Sequence, residues 1–274
     1  MTDTSVADHW GRADLYDTIT TALWKAGADL NALTIDQLAP VDHFHARGLP
    51  ATIELANELP VSPDSRLLDI GCGLGGPARY MADRFGVSVT GIDITPSFVE
   101  TGNRLTELVR MTDRVSLQQG DGCDLPFDDA SFDGAYSQHV TMNIADRARF
   151  FAEAFRVIVT GGFFALSEHG RGEWGELLHP VPWSEDGSGE FLIPPQETCS
   201  LLEEVGFVDI QLTHTGDDYL EAYQRVISLA EAGKTPALGI HLVMGKGALE
   251  KTRNSARSIA EHRTHPIRLV CGKP

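Results

Sequence analysis

The sequence predicts an α/β protein: a doubly wound sheet of seven strands, mostly parallel with an antiparallel last strand, carrying helical lid segments. Three observations predict it. From residue 66 onward, short apolar runs alternate with helix-length amphipathic stretches, the pattern of a parallel sheet with helices on both faces. The first of these runs, "LLDI" (67–70), passes directly into the glycine burst "GCGLGG" (71–76). In such sheets that loop presents backbone N–H groups to a ligand. The chain then closes with two strand-like runs, "GFVDIQLTH" (206–214) and "PIRLVCG" (266–272), which are expected to pair as a hairpin.

The elements follow in order. Residues 8–58 read mainly as helix, because Leu15, Ile19, Leu23 and Trp24 recur at helical spacing, as do Ile53, Leu55 and Ala56. Residues 1–60 are therefore expected to form an N-terminal helical cap, with the main domain over 61–274. "VSPDS" (61–65) breaks the pattern before the first strand, "RLLDI" (66–70), and a helix follows from Gly76 to Arg84. "VSVTGID" (87–93) is the second strand. Thr95 as N-cap and Pro96 at the first helical position open a helix over 95–111. "RVSLQQGD" (114–121) and "FDGAYSQH" (132–139) are the third and fourth strands, a helix spans Asp146 to Val159, and "GGFFALSEH" (161–169) is the fifth strand. Two stretches interrupt the alternation. Residues 170–195 are rich in Gly and Pro but carry Trp174, Trp183 and Phe191, and residues 216–263 read as two helices. Both are expected above the C-terminal edge of the sheet, where open α/β sheets bind ligands.

Composition narrows the partners. The 274 residues are 42% hydrophobic and 22% charged, enough to bury a sizeable core. With 39 acidic against 22 basic residues the formal charge is -17, which repels phosphate backbones and anionic lipid. Neither a nucleic acid nor a membrane is an expected partner. No basic start precedes an apolar block, and no apolar run approaches the roughly 18–20 residues that span a bilayer. Cys72, Cys123, Cys199 and Cys271 lie far apart with no C-x-x-C, as suits free thiols in a reducing cytosol. A cytoplasmic protein is the expectation. No metal is expected either: His43 and His45 form H-x-H, but no carboxylate cluster stands nearby at ligand spacing, and an ordinary loop pair is the better reading.

The glycine register Gly71-x-Gly73-x-x-Gly76 suits a dinucleotide pyrophosphate or a compact zwitterion equally. Asp93, ending the second strand, can accept from two ribose hydroxyls, and this too serves either ligand. Three features separate them. Asp69, inside the strand that feeds the loop, would repel a pyrophosphate but favour an α-ammonium. Asp121, at the end of the third strand, is placed to accept from an adenine amino group. The closing hairpin arrives after only five strands, where a dinucleotide enzyme would continue with a second mononucleotide-binding half.

At these residues the chain resembles a known family. "LLDIGCGLGG", "VTGIDIT", "QGDGCDLPFDDASFD", "AFRVIVTGGFF" and "LLEEVGFVDI" are similar to the class I S-adenosylmethionine-dependent methyltransferases with their Rossmann-like fold. The likeness is to the small-molecule branch that includes sarcosine/dimethylglycine, sterol and menaquinone-pathway enzymes, and it covers about residues 40 to 215. One departure is "VIVTGG" (157–162), where the family usually has Lys-Pro before the glycine pair. The resemblance implies S-adenosyl-L-methionine as cofactor, S-adenosyl-L-homocysteine as product and a small-molecule acceptor. It implies that Gly71, Gly73 and neighbouring backbone hold the methionine part, with Asp69 near its ammonium. Asp93 would take the ribose hydroxyls and Ile94 would pack on adenine. Asp121 and the backbone of Gly122 and Cys123 would bind the adenine edge, and Gln138 would line the methionine end. Arg47 or Gly48 of "HFHARG" (43–48) would close over the cofactor.

Blander roles compete for several of these residues. Gly75 and Gly76 suit loop and helix packing, and Cys72 and Cys123 suit small pocket fillers. Trp174, Trp183 and Phe191 serve a satellite core or an acceptor pocket equally well. Methyl transfer from a sulfonium is an in-line displacement in which positioning is worth about 7–11 kcal/mol. A base helps where the acceptor is a hydroxyl, a protonated amine or an acidic carbon. His139, just past the fourth strand, is the first candidate, against the alternative that it only orients its loop. Tyr16 and His169 are further candidates. The apolar and aromatic character of 170–195 points to a moderately hydrophobic acceptor. The rival reading is a methyltransferase-fold protein that uses its cofactor structurally, such as a cyclase of secondary metabolism.

Overall fold

The computed structural model describes Gly11 and residues 14–274. Helices α1 (Leu15–Lys25), α2 (Ile35–Asp42) and α3 (Leu49–Glu58) precede the first strand, β1 (Arg66–Ile70). Then come α4 (Gly76–Phe85), β2 (Ser88–Asp93), α5 (Pro96–Leu108), β3 (Val115–Gln119), β4 (Phe132–Gln138), α6 (Arg147–Val157) and β5 (Ile158–Arg171). The remainder is α7 (Pro195–Val205), β6 (Val208–His214), α8 (Gly216–Glu231), the single turn α9 (His241–Met244), α10 (Ala248–Ala260) and β7 (Thr264–Gly272).

The seven strands form one sheet in the order β3-β2-β1-β4-β5-β7-β6. β1 to β5 run parallel, and β7 is antiparallel to both β5 and β6. The chain works outward from β1 through β2 to β3 and then resumes at β4 on the other side of β1. The strand order therefore reverses between β1 and β4, opening a crevice at their C-terminal ends where such sheets bind ligands.

Strand alternation divides the core between the two faces of the sheet. Leu68 and Ile70 of β1 join Phe150, Phe151, Phe164, Leu202 and Leu269 on one face. Leu67 joins Ala78, Met81, Val89, Tyr136 and Ala165 on the other. Each fully buried side chain of this size contributes about 1.5–3 kcal/mol. A third cluster joins Leu15, Ile19 and Leu23 of α1 and Leu38 and Val41 of α2 to Leu74, Phe98, Leu105 and Val243.

Two boundaries differ from the periodicity. α6 stops at Val157 and β5 begins at once with Ile158, earlier than the glycine pair suggested. Lys273 explains the stop: its Nζ donates to the carbonyls of Phe155 and Ile158, each at 2.7 Å, capping the helix end. α7 is a helix that the alternation did not assign, opened by Pro195 and closed by Gly206 at φ +116°. Among the described residues, no helix is long and apolar enough to cross a membrane.

Candidate functional site

A cavity of about 370 Å³ lies over the β1/β4 crevice, within the size range of small-molecule sites. Its floor is the glycine loop. The N–H groups of Gly71 and Cys72 both donate to the Ile92 carbonyl, at 2.7 and 3.0 Å, pinning the loop to β2. Gly71 sits at φ +81°, and a Cβ there would lie 2.1 Å from Cγ2 of Val140. Gly73 also has positive φ, +52°, but a Cβ there would meet nothing within 4 Å. One glycine admits a close neighbour; the other leaves open space at the cavity wall.

Asp93 ties this floor together. Its Oδ2 accepts from Gly73 N–H at 2.8 Å and its Oδ1 from Thr95 N–H at 2.9 Å. Each carboxylate oxygen keeps a further lone pair. Burial pushes this carboxyl above the usual carboxylate range, opposed by the backbone donors of Thr95 and Gly73. Ile94 follows on the same wall. Asp121 lines the next part of the cavity, and its Oδ1 accepts from Cys123 N–H at 2.7 Å. That amide is thus engaged with Asp121, while Cys123 itself lines the cavity. Gly122 lies so close to the core that a Cβ would stand 2.7 Å from the Phe150 ring. Gln138 closes the far end of the floor. Its Oε1 accepts from Thr52 Oγ1 at 3.3 Å, while its Nε2 is buried without a hydrogen-bond partner.

The acid nearest the loop is not the one expected. Asp69 is 2% exposed and does not border the cavity; it lies behind the loop, near Tyr136 and Asp93. Burial, reinforced by Asp93, raises its pKa to about 8, so the side chain is mostly protonated at neutral pH. The cause is geometric: alternation along β1 turns residue 69 to the same face as Leu67. Besides Asp93 and Asp121, the cavity is bordered by the carboxylate of Asp42, at the end of α2. Its Oδ2 accepts from the buried Arg79 at 2.9 Å, and its Oδ1 has no hydrogen-bond partner, the His43 Nε2 standing 3.9 Å away. Gly76 permits this approach, since a Cβ there would stand 2.4 Å from the Asp42 carbonyl oxygen. Nothing in the sequence around Asp42 signalled a role at the site.

Above Gln138 the chain gathers a cluster of histidines and tyrosines. His139 lines the cavity at φ +60°, a conformation uncommon outside glycine. Its ring stacks on His45 at 5.7 Å, meets His169 at 5.3 Å, and places Nε2 2.8 Å from the Tyr219 hydroxyl. His45 also lines the cavity, whereas His169 is fully buried behind it. Burial lowers the pKa of His45 and of His169 to about 3. Burial, with His169 and His45 beside it, holds His139 well below the ordinary histidine value. All three rings are therefore neutral at pH 7. Tyr16 is not brought here: its ring packs under Arg104, 3.4 Å from centroid to guanidinium carbon, and does not line the cavity. That cation–π contact on α5 corrects the expectation that Tyr16 serves the acceptor. Arg47 is likewise turned away, paired with Glu54 at 2.5 and 2.7 Å.

The remaining wall comes from Pro182, Trp183, Gly189 and Phe191, with Tyr223, Ile240, Met244 and Thr252 opposite. Trp174 is 66% exposed and outside the cavity. This wall hangs on side-chain bonds. Asn143 Nδ2 donates to the carbonyls of Trp183 and Gly189, and Arg147 donates to the Phe191 carbonyl. Arg147 also pairs at 2.6 Å with Glu168, a fully buried acid that accepts from Thr141 and Thr198. Lys251 pairs with Glu185, joining the two stretches that flank the mouth. Among the described residues, Arg149 is the one Lys or Arg that lines the cavity, and its Nε donates to the Cys123 carbonyl at 2.6 Å.

Comparison with known proteins shows what the chain is similar to. Residues 68–166, from β1 through most of β5, match the family described as "Methyltransferase domain". That stretch, about a third of the chain, is similar to this domain family. A curated relative, 27-O-demethylrifamycin SV methyltransferase of Amycolatopsis mediterranei, is 40% identical over 139 residues, covering 51% of this chain and 48% of that protein. Sterol 24-C-methyltransferase of Yarrowia lipolytica is 28% identical over 222 residues, covering 72% of this chain and 57% of that protein. The chain spans about half the length of the curated relatives it matches. In fold, the chain resembles Haemonchus contortus phosphoethanolamine N-methyltransferase 2, solved with S-adenosyl-L-methionine. That match has a TM-score of 0.73 and 21% identity, and covers 85% of this chain and 54% of that one.

Proposed function

We propose that this protein is an S-adenosylmethionine-dependent methyltransferase acting on a small, moderately hydrophobic acceptor. The single observation that carries the reading is the floor of the cavity, where Gly71, Gly73 and Asp93 are locked together beneath open space. The residues fit the cofactor. The unpartnered Nε2 of Gln138 is a donor suited to the amino-acid carboxylate, and the unpartnered Oδ1 of Asp42 is an acceptor suited to the ammonium. Asp93 has lone pairs left for two ribose hydroxyls, Ile94 offers an apolar face for adenine, and Asp121 with the Gly122 backbone borders the base. When bound, the cofactor supplies an electrophilic methyl group on a sulfonium.

The chain's own residues orient and enclose. Residues 15–58, 170–195 and 216–263 act as the cap and lids of the site, excluding water from the reacting atoms. Trp183, Phe191, Ile240 and Met244 hold the acceptor by apolar contact. His139, neutral and at the cavity wall, takes the acceptor's proton. The names of two relatives support this class of acceptor, since a rifamycin and a sterol are both largely apolar.

Incubation with methyl-labelled S-adenosylmethionine and a panel of hydroxylated polyketides, phenols and sterols tests the reading, alongside calorimetry with S-adenosylhomocysteine. Transfer of label to one class is the expected result. Tight S-adenosylhomocysteine binding with no transfer to any acceptor would favour the structural use of the cofactor, as in a cyclase. Failure to bind S-adenosylhomocysteine would overturn both.

A further inference from the structure

Trp183 is held more firmly than an apolar filler needs. It is 5% exposed, lines the cavity, and packs in a small cluster with Met142, Leu177 and Val181. Its indole Nε1–H donates to Oε2 of Glu190 at 2.7 Å. An indole nitrogen is a donor only, so the direction of this bond is fixed. His179 Nε2 stands 3.4 Å from the same carboxylate oxygen. One side of the indole meets the buried His169 ring, with centroids 4.7 Å apart and planes tilted by 31°. The backbone is tied as well. Val181 and Ser184 exchange two backbone hydrogen bonds, at 2.8 and 3.2 Å, around Pro182 and Trp183. The Trp183 carbonyl accepts from Asn143 Nδ2 at 3.2 Å. Turn, carbonyl, ring edge and ring side are all engaged, which sets the plane of the indole before any ligand arrives. A preset aromatic plane loses little rotamer freedom on binding. It favours a flat ring, which brings all its atoms into contact at once, over a puckered one.

His169 also joins this wall to the candidate base. Its ring stands 5.3 Å from that of His139, so Trp183 and His139 border neighbouring stretches of the cavity. Burial, with His169 and His45 beside it, holds His139 well below the ordinary histidine value, which makes it a weak base. A phenol, with a pKa of about 10, yields its proton to a weak base far more readily than an aliphatic hydroxyl, close to the roughly 15.7 of water.

We propose that the acceptor is a phenol, a planar ring that stacks on Trp183 and turns its hydroxyl to His139, with Glu190 as the positioning residue for the indole. The inference rests on the methyl-transfer reading of the cavity and narrows its acceptor class. In the step, the phenolic O–H bond breaks towards the imidazole while the oxygen bonds the methyl carbon. The electron pair of the broken carbon–sulfur bond stays on sulfur, and the positive charge passes from sulfur to the imidazole. Glu190 does not line the cavity and acts through the indole alone.

The experiment uses bicyclic alcohols of one carbon skeleton on the whole protein loaded with S-adenosylhomocysteine. β-Naphthol is flat and phenolic, β-tetralol is half flat with an aliphatic hydroxyl, and β-decalol is puckered throughout. Calorimetry should rank their affinities in that order, with β-naphthol at least about fivefold tighter than β-decalol. With methyl-labelled S-adenosylmethionine in place of S-adenosylhomocysteine, label should reach β-naphthol and neither of the others. In Trp183→Leu the affinities for β-naphthol and β-decalol should fall within about twofold of each other. Equal affinities in wild type, binding of none of the alcohols, or a preference that survives Trp183→Leu would overturn the proposal. So would equal transfer to β-tetralol, or β-naphthol bound without transfer. The positioning role is read from the Trp183 indole N–H resonance, assigned by its loss in Trp183→Leu. It should shift in Glu190→Leu and return towards its wild-type place in Glu190→Gln, whose amide oxygen still accepts. A resonance unmoved in Glu190→Leu would strike that role. Should a variant fail to fold, the wild-type ranking and transfer decide alone. Absence of S-adenosylhomocysteine binding to the wild type would instead count against the reading of the site, independently of the acceptor.

Discussion

The two ends of the cavity are built in different ways. The cofactor end is held by the sheet: Gly71 and Cys72 bond to β2, Asp93 ends β2, and Asp121 follows β3. The acceptor end is held by side chains: Asn143, Arg147 and Lys251 reach out to carbonyls and an acid of otherwise irregular chain. Backbone ladders tolerate changes of side chain, whereas a wall suspended from a few polar groups changes shape with any one of them. On the proposed function, a fold made this way can keep one donor site and vary its acceptors.

Breaking the suspension should give the largest effect. Arg147→Met leaves Glu168 buried without its charge partner, and should cost about 3–5 kcal/mol of stability by denaturant titration. A loss below about 1 kcal/mol would mean that Thr141 and Thr198 satisfy Glu168 without the arginine. The glycines of the cofactor end sharpen the contrast. Gly71→Ala collides with Val140 and adopts a positive φ, so it should lower stability by about 1–3 kcal/mol. Gly73→Ala has room for its methyl group and should mainly weaken S-adenosylhomocysteine binding in calorimetry, with a smaller effect on the melting temperature. Equal melting temperatures for the two variants would contradict the division.

Much of this division was legible in the sequence. The alternation from residue 66 predicted the strands because β1, β4 and β5 carry nearly continuous buried runs, while the edge strand β3 keeps a buried face through Val115 and Leu117. Asp93, Asp121 and Gln138 were readable because strand ends in a parallel sheet all point to one edge. Asp69 was misread for a related reason. Its position in the chain is next to the loop, but the pleat turns it away. The acceptor wall was opaque: Asn143, Arg147 and Glu168 are separated in sequence, and no periodicity marks a polar tether. The His45–His139–His169–Tyr219 cluster joins four distant segments and left no local signal.

Asp69 offers a smaller, pH-dependent test. A carboxyl whose folded pKa is raised from 3.8 to about 8 costs stability progressively as pH rises between those values, because the unfolded chain ionises first. Asp69→Asn should therefore match wild type near pH 4 and exceed it at pH 9, by at least the order of 1 kcal/mol that one pKa unit represents. Thermal melts at both pH values check the sign; a variant less stable than wild type at pH 9 would contradict it. The smallest effect belongs to Tyr16→Phe. With its ring against Arg104 and outside the cavity, it should change neither stability by more than about 0.5 kcal/mol nor S-adenosylhomocysteine affinity measurably.

The central claim is that the glycine loop and Asp93 hold the adenosyl amino acid of a methyl donor. Calorimetry of S-adenosylhomocysteine against wild type and Asp93→Ala tests it most directly. The account predicts saturable 1:1 binding to wild type and a loss of roughly 100-fold or more in the variant, since hydrogen bonds to an ionised group are each worth about 1.5–3 kcal/mol. Equal affinity in the two proteins, or binding of a nicotinamide dinucleotide in place of S-adenosylhomocysteine, would contradict it.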